Sequence, residues 1–165
     1  MCATYYARTS DHGYETCAEH LAMAGCLAGG FAKGFGYLDD GLLAGLVHDL
    51  GKYSDAFQRR IRNPDHCGPV DHSTAGALLL MRHVCPLAAM AVAGHHAGLP
   101  DLGSYGELEG STFMSRMNRA RRSGDCNPLA LAQAGEAQLD IPQSAFLHGT
   151  RSVSYTHLRA HETTL

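Results

Sequence analysis

The residues of this chain best suited to chemistry are concentrated in a short apolar segment, LVHDLGK, at residues 46–52. His48 and Asp49 are adjacent there, and Lys52 follows Asp49 by three positions. Imidazole nitrogens and carboxylate oxygens bind divalent first-row metal ions, and the two oxygens of one carboxylate can serve two ions. A pair of such ions lowers the pKa of bound water and stabilises both the attacking and the leaving oxygen of a phosphoester. The segment alone is a weak signal, and it indicates a two-metal hydrolase only together with further ligands elsewhere in the chain.

Lys52 has two interpretations. One helical turn beyond Asp49, its ammonium group would act as a compact point charge beside a phosphate, so we predict Asp49 and Lys52 as the catalytic residues. Alternatively, Lys52 is a solvent-exposed lysine near a helix C-terminus, where the helix macrodipole favours a cation. The spacing alone does not separate these two roles.

Histidines elsewhere in the chain extend the pattern. The sequence has 11 histidines in 165 residues, and several fall among small or apolar residues, where an unsatisfied imidazole is costly. Metal sites in helical bundles are built from side chains, such as imidazoles, that several helices direct at one point. The predicted metal ligands are His20, His48, Asp49, His72, His95 and His96. The isolated histidines, predicted to be ordinary structural residues, are His12, His66, His83 and His148.

The ordered pattern H…HD-x-G-K…H…HH resembles that of the HD phosphohydrolase superfamily. Its particular form, AEHL, HDLGK, DHSTAGA and AGHHAGLPD, is similar to the HD nuclease domain of the CRISPR-associated nuclease-helicase of type I systems. The resemblance covers residues 12–151. It implies that His20, His48 and Asp49 hold a first metal ion, and that a second ion is held by Asp49, His72, His95 and His96.

The resemblance also implies an activity and partners. Members of this family cut single-stranded DNA with two divalent ions, which implies Mn, Co, Ni, Fe or Mg here. They are joined to, or work with, a superfamily-2 helicase and act with a CRISPR surveillance complex. Two alternatives stay open: an HD-superfamily phosphohydrolase acting on a nucleotide or cyclic dinucleotide, and an inactive metal-binding fragment.

The C-terminus departs from the family pattern. The family closes with a helix of the form R-x-x-x-S-x-L-x-D-A-D, whose final aspartate completes the first metal site. Arg151 would begin that helix, but the sequence continues as SVSYTHLRAHETTL. We therefore expect residues 1–151 to be a C-terminally truncated HD nuclease domain and residues 152–165 to be a non-native tail. Without the aspartate, we expect poor cleavage or none.

The composition of the chain argues against several other classes of protein. A formal net charge of −3 gives no global basic field of the kind that a stand-alone nucleic-acid binder shows. Six cysteines without a C-x-x-C pair predict reduced thiols rather than a zinc site or a disulfide scaffold. Since no apolar stretch reaches membrane-spanning length, we predict a cytoplasmic protein without a membrane partner.

Hydrophobic spacing predicts an all-α fold, because no segment shows the sustained alternation typical of a sheet. The resemblance narrows this to an HD-domain helical bundle with a buried histidine/aspartate metal site. The predicted helices cover residues 14–35, 39–50, 72–84, 86–95, 111–122 and 128–139, with a further short helix capped by Ser54. Gly51 is expected to end the second helix. The predicted inward face of the first helix is Leu21, Ala24, Leu27, Ala28 and Phe31.

Four arginines on the predicted helix 111–122 suggest a route for DNA, since phosphate contacts supply most non-specific affinity for nucleic acid. The alternative is a solvated helix face. The four are Arg116, Arg119, Arg121 and Arg122.

Overall fold

A computed structural model describes residues 4–10, 13–83, 85–123 and 131 of the chain. This part is mostly helical, with one small antiparallel hairpin at its start. The strands are β1 (Tyr6–Ser10) and β2 (Gly13–Thr16). The helices are α1 (Cys17–Lys33), α2 (Leu38–Val47), α3 (Asp55–Arg62), α4 (Thr74–Arg82), α5 (Pro86–Gly94) and α6 (Phe113–Ser123). Short 3-10 turns lie at Leu50–Tyr53 and Pro64–His66.

The hairpin corrects the prediction of an all-α chain. The strands pair with an irregularity between Tyr6 and Arg8, and they are too short to produce a sustained alternation in the sequence. α1 accordingly begins at Cys17, not at residue 14. Thr16 caps it, since its hydroxyl accepts from the Glu19 backbone N–H while the Glu19 carboxylate accepts from that of Thr16.

Glycines inside α1 and α2 allow the two helices to pack closely. α1 continues through Gly25, Gly29 and Gly30, although glycine weakens an isolated helix. A Cβ added at Gly45 of α2 would overlap the carbonyl oxygen of Ala24 and lie 2.6 Å from the Gly25 Cα. The backbones of the two helices are therefore nearly in contact, and tertiary packing outweighs local propensity.

This close approach also changes which face of α1 is buried. Leu21 is fully buried, as predicted, but Leu27 is 56% exposed and Phe31 is 77% exposed. The buried positions are instead Cys17, Leu21, Gly25 and Gly29. The prediction is wrong for Leu27 and Phe31, because it assigned large apolar residues to positions of the interface that Gly25 and Gly29 occupy.

Gly45→Ala is expected to destabilise the fold by about 1–3 kcal/mol, because the helices would have to separate to admit a methyl group. Gly30→Ala is the matched control, since nothing lies within 4 Å of its added Cβ. It is expected to stabilise α1 by up to about 1 kcal/mol. Chemical denaturation measures both changes. Equal effects of the two substitutions would contradict a glycine-dependent contact.

The remaining helices follow the predictions with shifted ends. α2 stops at Val47, and the chain then forms the Leu50–Tyr53 turn, so the expected helix to residue 50 ends early. Ser54 caps α3 as predicted, since its hydroxyl accepts from the Phe57 N–H. The predicted helix 128–139 lies outside the described residues, except for Leu131, which packs against the core.

The hydrophobic core joins the ends of the helices that carry the predicted site. α1 packs on α2, α4 packs on α5, and α2 also contacts α5. The largest buried side chains include Leu21, Leu43, Leu50, Leu80 and Phe113. At Gly76 of α4 an added Cβ would overlap the Val47 carbonyl oxygen, so α4 crosses directly over the end of α2. None of the helices in the described ranges is long and apolar enough to cross a membrane.

Candidate metal centre

All six predicted ligand residues lie together in the structure, mostly at helix ends. His20 lies within α1, whereas His48 and Asp49 follow the last residue of α2. His72 precedes α4 by two positions, and His95 and His96 follow α5. The site therefore forms where the C-terminal ends of α2 and α5 and the N-terminal end of α4 meet beside α1.

Asp49 occupies the centre of the cluster and is only 3% exposed. Its Oδ2 atom lies 3.0 Å from His20 Nε2 and 3.1 Å from His48 Nε2. The Lys52 Nζ atom forms an ion pair with the same oxygen at 2.7 Å. One carboxylate oxygen thus faces two imidazoles and an ammonium group.

The other carboxylate oxygen of Asp49 has no hydrogen-bond partner although it is buried. His72 Nε2 and His95 Nε2 lie 3.4 Å and 3.3 Å from Oδ1, without forming a hydrogen bond of good geometry. A buried carboxylate oxygen without a partner is costly. Its position therefore suits a cation bound between the carboxylate and the imidazoles.

In three of the imidazoles, a backbone carbonyl group determines which ring nitrogen carries the proton. The Nδ1 atoms of His48, His72 and His95 lie 2.8, 2.9 and 2.7 Å from carbonyl oxygens of nearby residues. A carbonyl oxygen only accepts, so each Nδ1 carries the proton, and in the neutral ring Nε2 keeps its lone pair. Three lone pairs therefore point at an anionic carboxylate. This is the arrangement of metal-ligating histidines, whose outer nitrogen donates to a fixed acceptor.

His96 joins the cluster through His72. The Nε2 atoms of the two rings are 2.7 Å apart, and the ring centroids of His95 and His96 are 4.1 Å apart. Because the His72 Nδ1 holds its proton against a carbonyl oxygen, its Nε2 can only accept while the ring is neutral. The doublet thus adds one further nitrogen to the same side of Asp49.

Two groups of side chains have the spacing needed to hold a metal ion. In each group, one ligand atom per residue lies within 4.8 Å of the others. One group is His20, His48 and Asp49; the other is Asp49, His72, His95 and His96. Asp49 belongs to both, as expected from the resemblance. The nitrogen and carboxylate donors fit a divalent first-row ion.

The charge state of the cluster also favours a cation. Burial raises the pKa of Asp49, but the contacts of its carboxylate with the His20, His48 and His95 rings outweigh burial and hold that pKa well below its usual range. The carboxylate therefore stays ionised. The Asp49 carboxylate raises the pKa of His95, whereas burial and the neighbouring His95 and His72 lower the pKa of His96.

Lys52 is a buried member of the cluster, not a solvated residue at a helix end. It is 9% exposed, and its ammonium group lies 5.5 Å from the centroid of the Phe57 ring. The Gln58 Nε2 donates to the Lys52 carbonyl oxygen at 2.7 Å and to the Tyr6 carbonyl oxygen at 2.9 Å. Gln58 thereby fixes the Lys52 turn to strand β1.

The hairpin supplies a contact to the cluster that the sequence did not indicate. The Glu15 Oε2 atom lies 3.5 Å from His20 Nδ1, and Glu15 also forms an ion pair with Arg8. This carboxylate lies beside the ring nitrogen of His20 that does not contact Asp49. Glu15 lies five residues before His20, and this spacing predicts a contact only if the turn from β2 into α1 is already known.

The isolated histidines and the arginines of α6 lie elsewhere or have other contacts. Neither His66 nor His83 belongs to the two groups, and His12 and His148 lie outside the described residues. Arg116 and Arg119, for which the sequence suggested either a DNA route or a solvated helix face, donate hydrogen bonds to protein groups. Arg121 and Arg122 are exposed.

Comparison with known proteins identifies no family. The chain matches no protein-family model, and no curated protein matches it significantly. The residues of the cluster and their geometry are therefore the basis for a functional hypothesis.

Proposed function

We propose that this chain is a metal-dependent phosphodiesterase domain that uses two divalent ions to cleave single-stranded DNA in type I CRISPR interference. The observation that carries the proposal is the division of six side chains into two possible metal-binding groups that share Asp49. A carboxylate common to two ions is typical of two-metal phosphoester hydrolysis.

The side chains have distinct roles in this proposal. The first ion would be held by His20, His48 and Asp49; the second would be held by Asp49, His72, His95 and His96. When bound, the ions would activate water and stabilise charge on the phosphoester. The carbonyl oxygens that accept from Nδ1 keep the Nε2 atoms free for the ions. Lys52 adds a fixed positive charge 2.7 Å from the shared carboxylate.

The net charge of the site favours an anionic substrate. Asp49 contributes the single carboxylate of the two groups, and Lys52 already balances it. Two divalent ions would leave excess positive charge in a partly buried site, which attracts anions such as a phosphodiester. The Phe57 ring lies 5.3 Å from the His72 ring, measured between centroids, and gives this side of the site an apolar wall.

The partners proposed for the chain are a superfamily-2 helicase, which would deliver the strand, and a CRISPR surveillance complex.

The two proposed ions should differ in affinity. The group at His20 has three ligand residues and the group at His72 has four, so the ion at His72 should bind more tightly. The expected closing helix and the tail at residues 152–165 lie outside the described residues.

The test is metal-dependent cleavage by the purified chain. The metal-stripped protein is supplied with Mn²⁺ and incubated with labelled single-stranded DNA, duplex DNA, cyclic dinucleotides and nucleoside triphosphates. We expect slow cleavage, limited to single-stranded DNA and abolished by EDTA. His95→Ala should remove it, whereas His66→Ala, which changes an exposed histidine outside both groups, should not.

The other outcomes identify the alternatives. Hydrolysis of a nucleotide or cyclic dinucleotide in preference to DNA would favour a different HD-superfamily phosphohydrolase. Metal binding without hydrolysis of any of these substrates would indicate an inactive metal-binding fragment. Absence of metal binding would overturn the proposal altogether.

A further inference from the structure

We infer that Arg116 is a positioning residue of the metal centre: its guanidinium holds together the two chain segments that carry the ligands of the second ion. This inference rests on the proposed metal-binding function, and it gives Arg116 a different role from the DNA contact suggested by the sequence. The hydrogen bonds of Arg116 go to residues other than the predicted ligands.

The guanidinium group of Arg116 makes four hydrogen bonds to two distant segments. Three of them go to the residues around the start of α4: Nη2 donates to Asp71 Oδ1 at 2.9 Å and to Ser73 Oγ at 2.7 Å, and Nε donates to Thr74 Oγ1 at 2.6 Å. The fourth goes to α5, where Nη1 donates to the Ala93 carbonyl oxygen at 2.7 Å. The planar fork of arginine suits several acceptors held in fixed directions.

These two segments carry three of the four ligand residues of the second group. His72 lies between Asp71 and Ser73 in the chain, and Ala93 precedes His95 by two positions. A shift of either segment would change the distances of His72 and His95 to Asp49 Oδ1, now 3.4 Å and 3.3 Å. Arg116 therefore acts on the second ion through the backbone.

Asp71 makes the arrangement rigid. Its Oδ1 accepts from the backbone N–H groups of Ser73 and Thr74, both at 3.1 Å, and its Oδ2 accepts from the Thr74 hydroxyl. Although burial raises the pKa of Asp71, the hydrogen bonds from Thr74 and the charge of Arg116 hold that pKa below its usual value. The ion pair therefore fixes the backbone immediately on both sides of His72.

A neighbouring arginine on the same helix provides a matched control. Arg119 donates through Nη1 to the carbonyl oxygens of Leu108 and Gly110, at 2.9 and 2.8 Å. These acceptors belong to the loop before α6 and not to a segment that carries a ligand. Replacing Arg119 tests the cost of losing arginine hydrogen bonds on α6 without disturbing the metal centre.

The experiment measures Mn²⁺ binding by titration calorimetry in two backgrounds, each of which leaves one group intact. In the His20→Ala background only the second group remains, and Arg116→Lys is expected to weaken Mn²⁺ binding by roughly 10–100-fold, as for loss of an outer-sphere partner. In the His95→Ala background, where the first group remains, Arg116→Lys should change nothing. Arg119→Lys should leave both affinities unchanged.

A spectroscopic readout separates displaced ligands from general loosening of the fold. The visible absorption spectrum of Co²⁺ in the His20→Ala background should change with Arg116→Lys and stay the same with Arg119→Lys. If Arg116→Lys does not fold, as judged by circular dichroism, Asp71→Asn tests the same link with a side chain of nearly equal shape. It should weaken Mn²⁺ binding in the His20→Ala background alone.

The outcomes distinguish this inference from the proposed function. If the parent binds two ions and the Arg116 and Asp71 variants keep the parent's affinity in the His20→Ala background, the positioning role is wrong while the metal centre stands. Equal weakening in both backgrounds also overturns the inference, because it indicates a general structural role. If the parent binds no Mn²⁺, the proposed function fails, and the positioning role fails with it.

Discussion

Replacing Asp49 with asparagine is expected to abolish high-affinity binding of both metal ions and, with it, any cleavage of single-stranded DNA. Asp49 is the residue common to the two candidate groups, and asparagine keeps its shape while removing the charge. The affinity for each ion should fall by more than about 100-fold, beyond the 10–100-fold that loss of an outer-sphere partner costs. Elemental analysis of the dialysed protein measures the metal content directly.

Single-histidine variants are the controls for this result. His20→Ala should remove the first ion alone, and His95→Ala the second alone, because each residue belongs to one group. Asp49→Asn also leaves the buried Lys52 ammonium without its anionic partner, so folding is checked by circular dichroism in EDTA. A folded Asp49→Asn protein that retains the metal content of the parent would show that the two groups do not share this carboxylate.

The members of the histidine/aspartate cluster could be predicted from the sequence because metal-binding chemistry restricts the residue types. Few side chains bind divalent ions through nitrogen or carboxylate oxygen, and His48 and Asp49 sit in an apolar segment where such groups need partners. The order of the motifs along the chain then predicts that His20 and His72 belong to the same cluster. What the structure adds is their arrangement around the buried Asp49.

The groups that hold the ligands in place were harder to predict, because they come from distant or irregular segments. Arg116 reaches Asp71 across 45 positions, and in the sequence it is one of four arginines on a predicted helix. Glu15 reaches His20 from a hairpin whose strands are too short to leave a clear pattern. Contacts of this kind depend on tertiary packing, which local propensity does not encode.

Glycines were misread for a related reason. The sequence predicts that Gly51 ends a helix, and glycine lowers the intrinsic stability of a helix such as α1. In the structure, Gly25 and Gly45 permit two helices to approach, and Gly51 permits the approach of the backbone at His72. A glycine is needed at these positions because another segment leaves no room for a Cβ atom. The local sequence around the glycine does not show that segment.

The contact at Gly51 leads to the second large effect: Gly51→Ala is expected to displace His72 and weaken binding of the second ion selectively. The Gly51 N–H donates to the His72 carbonyl oxygen at 2.9 Å. An added Cβ would lie 2.5 Å from both the Cα and the carbonyl oxygen of His72. Since both obstacles are backbone atoms, no side-chain rotation relieves the clash, and the segment that carries His72 must move.

We expect Gly51→Ala to destabilise the fold by about 1–3 kcal/mol, as for overpacking of a core, and to reduce Mn²⁺ affinity in the His20→Ala background. In the His95→Ala background, where only the first group binds, the affinity should stay unchanged. Gly68→Ala is the control, because its added Cβ meets nothing within 4 Å although the residue lies only four positions before His72. Calorimetric titration of the four double variants gives the comparison. If Gly51→Ala and Gly68→Ala bind Mn²⁺ equally well in the His20→Ala background, the backbone contact at Gly51 does not determine the position of His72, and the side chains around the ring must do so instead.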